Sequence, residues 1–378
     1  MRLWQRVAGA LKDRNSILIA QLSRRSSLRN PHLESAVIKA TSHDPHRIDG
    51  KNVQRVFQWL RTSPLCLRPL LWSLSMRMHK TRSWVVALKG LMLMHGIFCC
   101  DLTNVHSMGR LPFDFSDFGH NHTDPGRVWA FDAFVRSYFA YLDQKSAFLA
   151  SEFKKQNKRR KKTEETVMEE LERLQAMQGL INMLLKIKPR NPNLHVSLVL
   201  EAMDCVVVEL FDVNSKFCKG IARALLRIYE IGGKEEARVG IRVLQKAEMQ
   251  CDELSVYFDF CREIGVLNAS QCPKLESFPE GYMEDLEKII NGDSEKDSFK
   301  GDDDDVDMAI VVHQESKNGL KTVITNKWEV FDDDMLEDYT FGNYGKATFT
   351  TTNPFEESYS IVPYCAASNL ILSDLISF

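Results

Sequence analysis

WVVALKGLMLMHGIFCC, residues 84–100, is the most apolar run of the chain, and two polar residues interrupt it, Lys89 and His95. A bilayer-spanning helix needs about 20 predominantly apolar residues, so this run is too short and too polar to cross a membrane. Membrane contact, if the protein makes it, is then peripheral. Apolar residues that follow one another without polar alternation, over a length greater than a strand's, fit a helix buried on all sides. The reading is a central helix over 83–99, and the question becomes what surrounds it.

Outward from that run, helical spacing continues and strand-like alternation is scarce up to about residue 290. Asn30-Pro31 supplies a capping side chain followed by proline in the first turn, with Leu33, Val37 and Ala40 on one face. Asp49 can cap the next helix, whose inward positions are Val53, Val56, Phe57 and Leu60. Ser63-Pro64 opens another, through Leu67, Leu70, Leu71 and Leu74. Beyond the central run comes a loop rich in Gly, Pro, Asp and His over about 107–126, then a helix over 128–150. Three long helices follow at about 163–188, 193–229 and 234–264, separated by Pro189–Pro192 and Gly232-Gly233, and a shorter one lies at 279–291. The fold class is all-α.

The formal net charge of -2 conceals a division. Residues 1–162 carry 28 Lys/Arg against 11 Asp/Glu, a net of +17, and residues 163–378 carry 21 against 40, a net of -19. A basic front attracts phosphate, on nucleic acid or on an anionic membrane. KKQNKRRKK, residues 154–162, has seven basic residues in nine but no aromatic side chain to stack on bases, which disfavours a nucleic-acid partner. At the N-terminus, Trp4, Val7, Ala8 and Leu11 share helical spacing among Arg2, Arg6, Lys12 and Arg14, the pattern of a small interfacial helix or of one packed on the domain. The nine cysteines include no C-x-x-C pair and sit mostly in apolar helical runs, as reduced, buried thiols of the cytosol do.

Sequence signatures of common enzymes are missing: there is no G-x-x-x-x-G-K-[ST], G-x-G-x-x-G, H-E-x-x-H or G-x-S-x-G, and no cofactor is implied. The remaining concentration of chemistry is KATSHDPHRIDGK, residues 39–51. His43-Asp44 fits the start of a His-Asp metal phosphohydrolase, also an all-helical class. Such a site needs further ligands from neighbouring helices, and His79, His95, His120 and His122 are poorly placed for that. A phosphate corner fits better. Lys39 falls in the last turn of one helix, Lys51 in the first turn of the next, and Arg47 between them, while a helix start offers N–H groups to an anion.

Lys39-Ala40-Thr41, six intervening residues and then Ile48 resemble the inositol-lipid motif of the ANTH domain, the phosphoinositide-binding domain of clathrin assembly proteins and a relative of the ENTH and VHS superhelices. SWVVALKGLMLMHGI (83–97) is similar to that family's central helix and FVRSYFAYLDQK (134–145) to its next hallmark. The order is collinear over about three quarters of the chain, and the whole resembles the plant members. The resemblance implies a right-handed helical superhelix with long paired C-terminal helices over residues 1–291. Where the family continues with Lys, any residue, Lys, then His or Tyr, this chain has Asp49, Gly50, Lys51 and Asn52. Lys39 and Lys51 therefore carry over as lipid-phosphate binders, with Arg47 and the N-terminal segment to compensate for Asp49. The implied function is a non-enzymatic endocytic adaptor that binds phosphatidylinositol 4,5-bisphosphate at the cytoplasmic face of coated pits and vesicles, with the Golgi as a further compartment. The resemblance also implies capture of vesicle SNAREs. A helical interaction scaffold without a lipid ligand is the alternative that Asp49 and Asn52 favour.

From Gly292 onward the chain holds 18 Asp/Glu against 6 Lys/Arg, a net of -12, with apolar residues lacking period. That composition is expected of a largely disordered acidic tail, residues 292–378. Asn353-Pro354-Phe355 is a tripeptide of the type captured by EH-domain proteins, its Asn-Pro turn presenting the phenylalanine. Asp374-Leu375-Ile376 is similar to clathrin and adaptor ligands, and Asp297-Ser298-Phe299 to a weaker adaptor class. Weak peptide ligands of this kind act by avidity on a polymerising coat.

Overall fold

The computed structural model describes residues 2–291 except 27, 101, 120–127, 160–164, 191–194, 232, 273–277 and 280. In chain order the helices are α1 (Arg2–Leu22), α2 (Pro31–Ala40), α3 (Gly50–Thr62), α4 (Leu67–Lys80), α5 (Trp84–Phe98), α6 (Thr103–His106), α7 (Val128–Arg159), α8 (Val167–Leu185), α9 (Ser197–Ile231), α10 (Lys234–Glu263) and α11 (Gly281–Asn291). Single 3-10 turns lie at Pro64–Cys66 and Leu267–Gln271, and no strand occurs among the described residues. No described helix is long and apolar enough to cross a membrane. The architecture is the expected all-α helical solenoid, with α8, α9 and α10 as its long paired helices.

Helix starts follow the local chemistry. Asn30 Oδ1 accepts from the N–H groups of His32 and Leu33, with Pro31 at the first helical position of α2. Thr166 and Glu169 form a reciprocal capping box that sets the start of α8, a few residues after the predicted one. Ser63-Pro64 begins with a 3-10 turn before α4. α7 extends to Arg159, past the predicted end at 150, because Lys and Arg propagate a helix well once the apolar period has ended.

Every residue of α5 from Val85 to Phe98 is buried. α2, α3, α4, α6, α7 and α9 all pack against it, so the apolar run is the axis of the N-terminal half. Two of its glycines serve close approach. A Cβ on Gly90 would collide with Met78 of α4, and one on Gly96 with Phe57 of α3. Val53, Val56, Leu60, Leu67, Leu70 and Leu74 are buried as predicted, while Phe57 and Leu71 are half-buried. The loop before α7 is less polar than expected: Phe113, Phe115 and Phe118 bury their rings against one another and against Phe139. Of the eight described cysteines, all free thiols, only Cys205 and Cys261 are fully buried, because the others lie at element ends or on partly open helix faces.

The two polar interruptions of α5 have separate roles. His95 lies in a closed polar knot. His95 Nε2 is 3.0 Å from Glu209 Oε2 and Nδ1 is 2.7 Å from the Tyr138 hydroxyl. Tyr141 donates to Glu209 Oε1 at 2.5 Å and Lys145 Nζ donates to it at 2.6 Å. A neutral imidazole with its proton on Nε2 satisfies both its contacts, and burial does push the His95 pKa down. The knot fastens α5 to α7 and α9. Farther along, Gln178 Nε2 donates to Val243 O, Gln250 Nε2 to Gln178 O and the Tyr257 hydroxyl to Ile187 O, tying α8 to α10. Lys89 points instead toward the loop between α2 and α3.

Candidate functional site

The α2–α3 corner is held from beneath. α2 ends at Thr41, whose N–H and hydroxyl both bond Val37 O, at 2.9 and 2.7 Å. Arg77 of α4 reaches that end and donates from Nε to Thr41 Oγ1 and from Nη2 to Thr41 O, each at 2.6 Å. A cation at a helix C-terminus satisfies carbonyls that the helix leaves open. The same Nη2 is 2.7 Å from Asp13 Oδ1 of α1. Asp13 also accepts the His43 N–H at 2.8 Å, and its Oδ1 is 2.8 Å from His43 Nδ1. Burial alone would raise the Asp13 pKa, but hydrogen bonds from His43 and Arg77 outweigh it and hold the carboxyl below its usual range.

Under the loop lies Lys89, 0% exposed, with Nζ 3.2 Å from Ser42 Oγ. Burial lowers its pKa, opposed by Asp44, Glu201, Asp13 and Asp49 around it. Glu201 of α9 accepts the Ile48 N–H at 3.1 Å and anchors the far side of the loop. Its pKa is raised by burial, against that hydrogen bond and the charges of Arg47 and Lys89. Asp49 is the N-cap of α3, as its position in the sequence indicated, accepting from Asn52 N at 3.1 Å and from Asn52 Nδ2 at 2.6 Å. The helix start thus carries its own anion, and the Asn52 N–H is already engaged.

The three cations expected to meet lipid phosphate, Lys39, Arg47 and Lys51, are all exposed and sit at the end of α2, in the loop and in the first turn of α3. The connection between α2 and α3 carries all three, and of its two carboxylates Asp49 caps α3 while Asp44 is exposed and accepts the His46 N–H at 3.3 Å. Asp13, Arg77, Lys89 and Glu201, which fix that corner, escape a reading of residues 39–51 because they come from four other helices. The available signal was Lys89, a charge inside an otherwise apolar helix.

α1 shows how its face is divided. Gly9, Asp13 and Ala20 are buried, and a Cβ on Gly9 would press on the His43 side chain. Trp4, Val7, Leu11, Leu18 and Leu22, separated by three, four, seven and four residues, form an exposed stripe that reaches 81% exposure at Trp4 and 85% at Leu22. α1 is therefore both packed on the domain and amphipathic toward solvent.

His43 spends its ring on Asp13 rather than on a metal set. Among the described residues, the one group of potential ligands within 4.8 Å is His95, Cys99 and Glu209, away from the corner. There both histidine nitrogens and both glutamate oxygens already have partners, with the Lys145 ammonium among them. Asn353–Phe355, Asp374–Ile376 and Asp297–Phe299 lie outside the described residues, as do Arg160, Lys161 and Lys162 of the basic run.

Residues 32–292 match the family described as ANTH domain. Two Arabidopsis thaliana relatives named "Putative clathrin assembly protein" are 45% and 43% identical over 335 and 340 residues, covering 89% and 88% of this chain and 88% and 89% of theirs. A third of the same name and organism is 38% identical over 291 residues, 77% of this chain and 82% of its own. With the family matched over most of its length, and relatives above a third identical across nearly all of it, the chain belongs to the ANTH domain family.

Proposed function

We propose that this protein is a non-enzymatic adaptor of the clathrin coat, seated on the cytoplasmic face of membranes at coated pits and vesicles. In this reading residues 1–291 form the membrane-facing helical domain and residues 292–378 an acidic recruiting tail. The domain meets phosphatidylinositol 4,5-bisphosphate through Lys39, Arg47 and Lys51. The observation that carries the reading is the exposure of these three cations around a corner whose Asp49 is spent on capping α3 and which Asp13 and Glu201 hold from other helices. The apolar stripe of α1, anchored to the same corner through Asp13, adds an interfacial contact and makes up for the missing lysine at Asp49. The tail recruits EH-domain proteins through Asn353-Pro354-Phe355 and clathrin or adaptors through Asp374-Leu375-Ile376, and the domain captures vesicle SNAREs. The Golgi belongs to the same proposal as a second compartment.

Co-sedimentation with vesicles, with and without phosphatidylinositol 4,5-bisphosphate, tests the lipid step. Each basic residue near an anionic surface contributes about 1 kcal/mol, so Lys39→Glu/Lys51→Glu is expected to weaken binding by more than tenfold. Binding that is absent in the wild type, or indifferent to the double substitution, sinks the reading at this corner. It would then favour a helical interaction scaffold, for which the Asp49–Asn52 pairing at the motif positions already speaks.

A further inference from the structure

A cavity of about 770 Å³ opens between α1, α2, α4 and the turn into α5, with His43 in its wall. Its wall brings together Lys12, Arg29, Arg77, Lys80 and Arg82 against a single carboxylate, Glu34. Arg29 is held by Glu34 at 3.0 and 3.2 Å and lies 5.3 Å from the centroid of the Trp72 ring, and Arg77 is held by Asp13. Lys12, Lys80 and Arg82 are exposed and have no hydrogen-bond or ion-pair partner among the described residues. A second observation is independent of charge. Ser73, also in this wall, is 5% exposed, yet its Oγ has no hydrogen-bond partner. A buried hydroxyl left unpaired is costly, and a ligand oxygen is one way to satisfy it.

The volume falls in the range of small-molecule sites. Inorganic phosphate would meet one or two of these cations, whereas a ring bearing several phosphates can meet those of α1 and of the α4–α5 turn together. Guanidinium groups suit phosphate through paired N–H donors. We propose that this groove is a second anion site that takes the phosphorylated ring of an inositol phosphate, either free or as a lipid headgroup. The inference rests on the function proposed above for its class of ligand, but on none of the three corner cations, which do not line the groove.

The test uses the full chain and two variants. Lys80→Glu/Arg82→Glu changes exposed side chains without partners, and Lys39→Glu/Lys51→Glu changes the corner. Calorimetric titration with inositol 1,4,5-trisphosphate reads the free ligand. Vesicles carrying phosphatidylinositol 4,5-bisphosphate, against phosphatidylserine vesicles of matched charge, read the headgroup. Lys80→Glu/Arg82→Glu is expected to lose tenfold or more in trisphosphate affinity at the groove, or in the inositol-lipid vesicle arm selectively, while Lys39→Glu/Lys51→Glu loses only the corner's share of trisphosphate binding and retains the groove's. Ser73→Ala is expected to bind more weakly in the same arm with an unchanged or higher ligand-free melting temperature, a combination that a folding defect does not produce. The groove is overturned if Lys80→Glu/Arg82→Glu leaves both arms unchanged, or weakens both vesicle types equally without affecting trisphosphate. Failure of the corner reading shows separately, as vesicle binding indifferent to Lys39→Glu/Lys51→Glu.

Discussion

Asp49 occupies a position where the family pattern has a lysine, and its hydrogen bonds explain what it does instead. It caps α3 through the Asn52 N–H and fixes the Asn52 side chain. A carboxylate there suits the helix dipole and opposes an arriving phosphate. Asp49→Lys is expected to lower stability by about 0.5–2 kcal/mol through loss of the cap. The same change is expected to strengthen binding to inositol-lipid vesicles by about tenfold or more, since it reverses a charge at the corner. Thermal denaturation and co-sedimentation of one variant check both, and a stabilised protein or weaker vesicle binding contradicts the account. At this scale the Asp49 cap and the places of Lys39, Arg47 and Lys51 at the helix ends and in the loop were legible because all four lie within thirteen consecutive residues. Asp13 and Arg77 were not, because their mutual contact spans 64 residues of chain and only the folded molecule creates it.

α1 illustrates what periodicity reveals about an element and what it leaves open. The spacing of Trp4, Val7 and Leu11 identifies an apolar face, but the same spacing serves a buried face or an exposed one. Polar and small residues on the opposite side settle the matter here. Asp13 hydrogen-bonds the corner loop, Gly9 lies against His43, and the apolar stripe is left outward. The extent of α7 was similarly hidden, because its last turns carry lysines and an arginine with no apolar period to reveal them. If Asp13 fastens α1, then Asp13→Ala should release that element without unfolding the rest. Hydrogen bonds to charged groups contribute about 1.5–3 kcal/mol, so amide exchange within α1 should accelerate roughly ten- to hundredfold. Protection of α5 should not change. Equal loss of protection in α1 and α5 would show that Asp13 supports the whole fold and not one helix.

Across the molecule, Glu209 joins parts that are distant in sequence: its carboxylate on α9 meets His95 of α5 and Tyr141 and Lys145 of α7. Burial would by itself raise the Glu209 pKa, but Lys145 and then His95 outweigh it and hold the carboxyl well below the ordinary carboxylate range. Lys145, despite the opposing effect of burial, is held above its ordinary value by Glu209. The sign follows from linkage. A carboxyl whose folded pKa is depressed contributes its full stability above the unfolded value, about 4.3 for glutamate, and loses it as pH falls from there toward the folded pKa. Glu209→Gln keeps the shape of the side chain but leaves the Lys145 ammonium buried without its counter-charge. Breaking a buried pair in this way costs about 3–5 kcal/mol. Because the knot ties three helices of one core, the loss should appear as a lower but still cooperative global unfolding transition at neutral pH. The difference between wild type and Glu209→Gln should then narrow as pH falls below about 4, where the wild-type carboxylate begins to lose its advantage. Chemical denaturation at a series of pH values measures both. A destabilisation that stayed constant down to the lowest pH would mean that the knot acts by shape and hydrogen bonding alone, and that the Lys145–Glu209 charge pair contributes nothing to holding α5, α7 and α9 together.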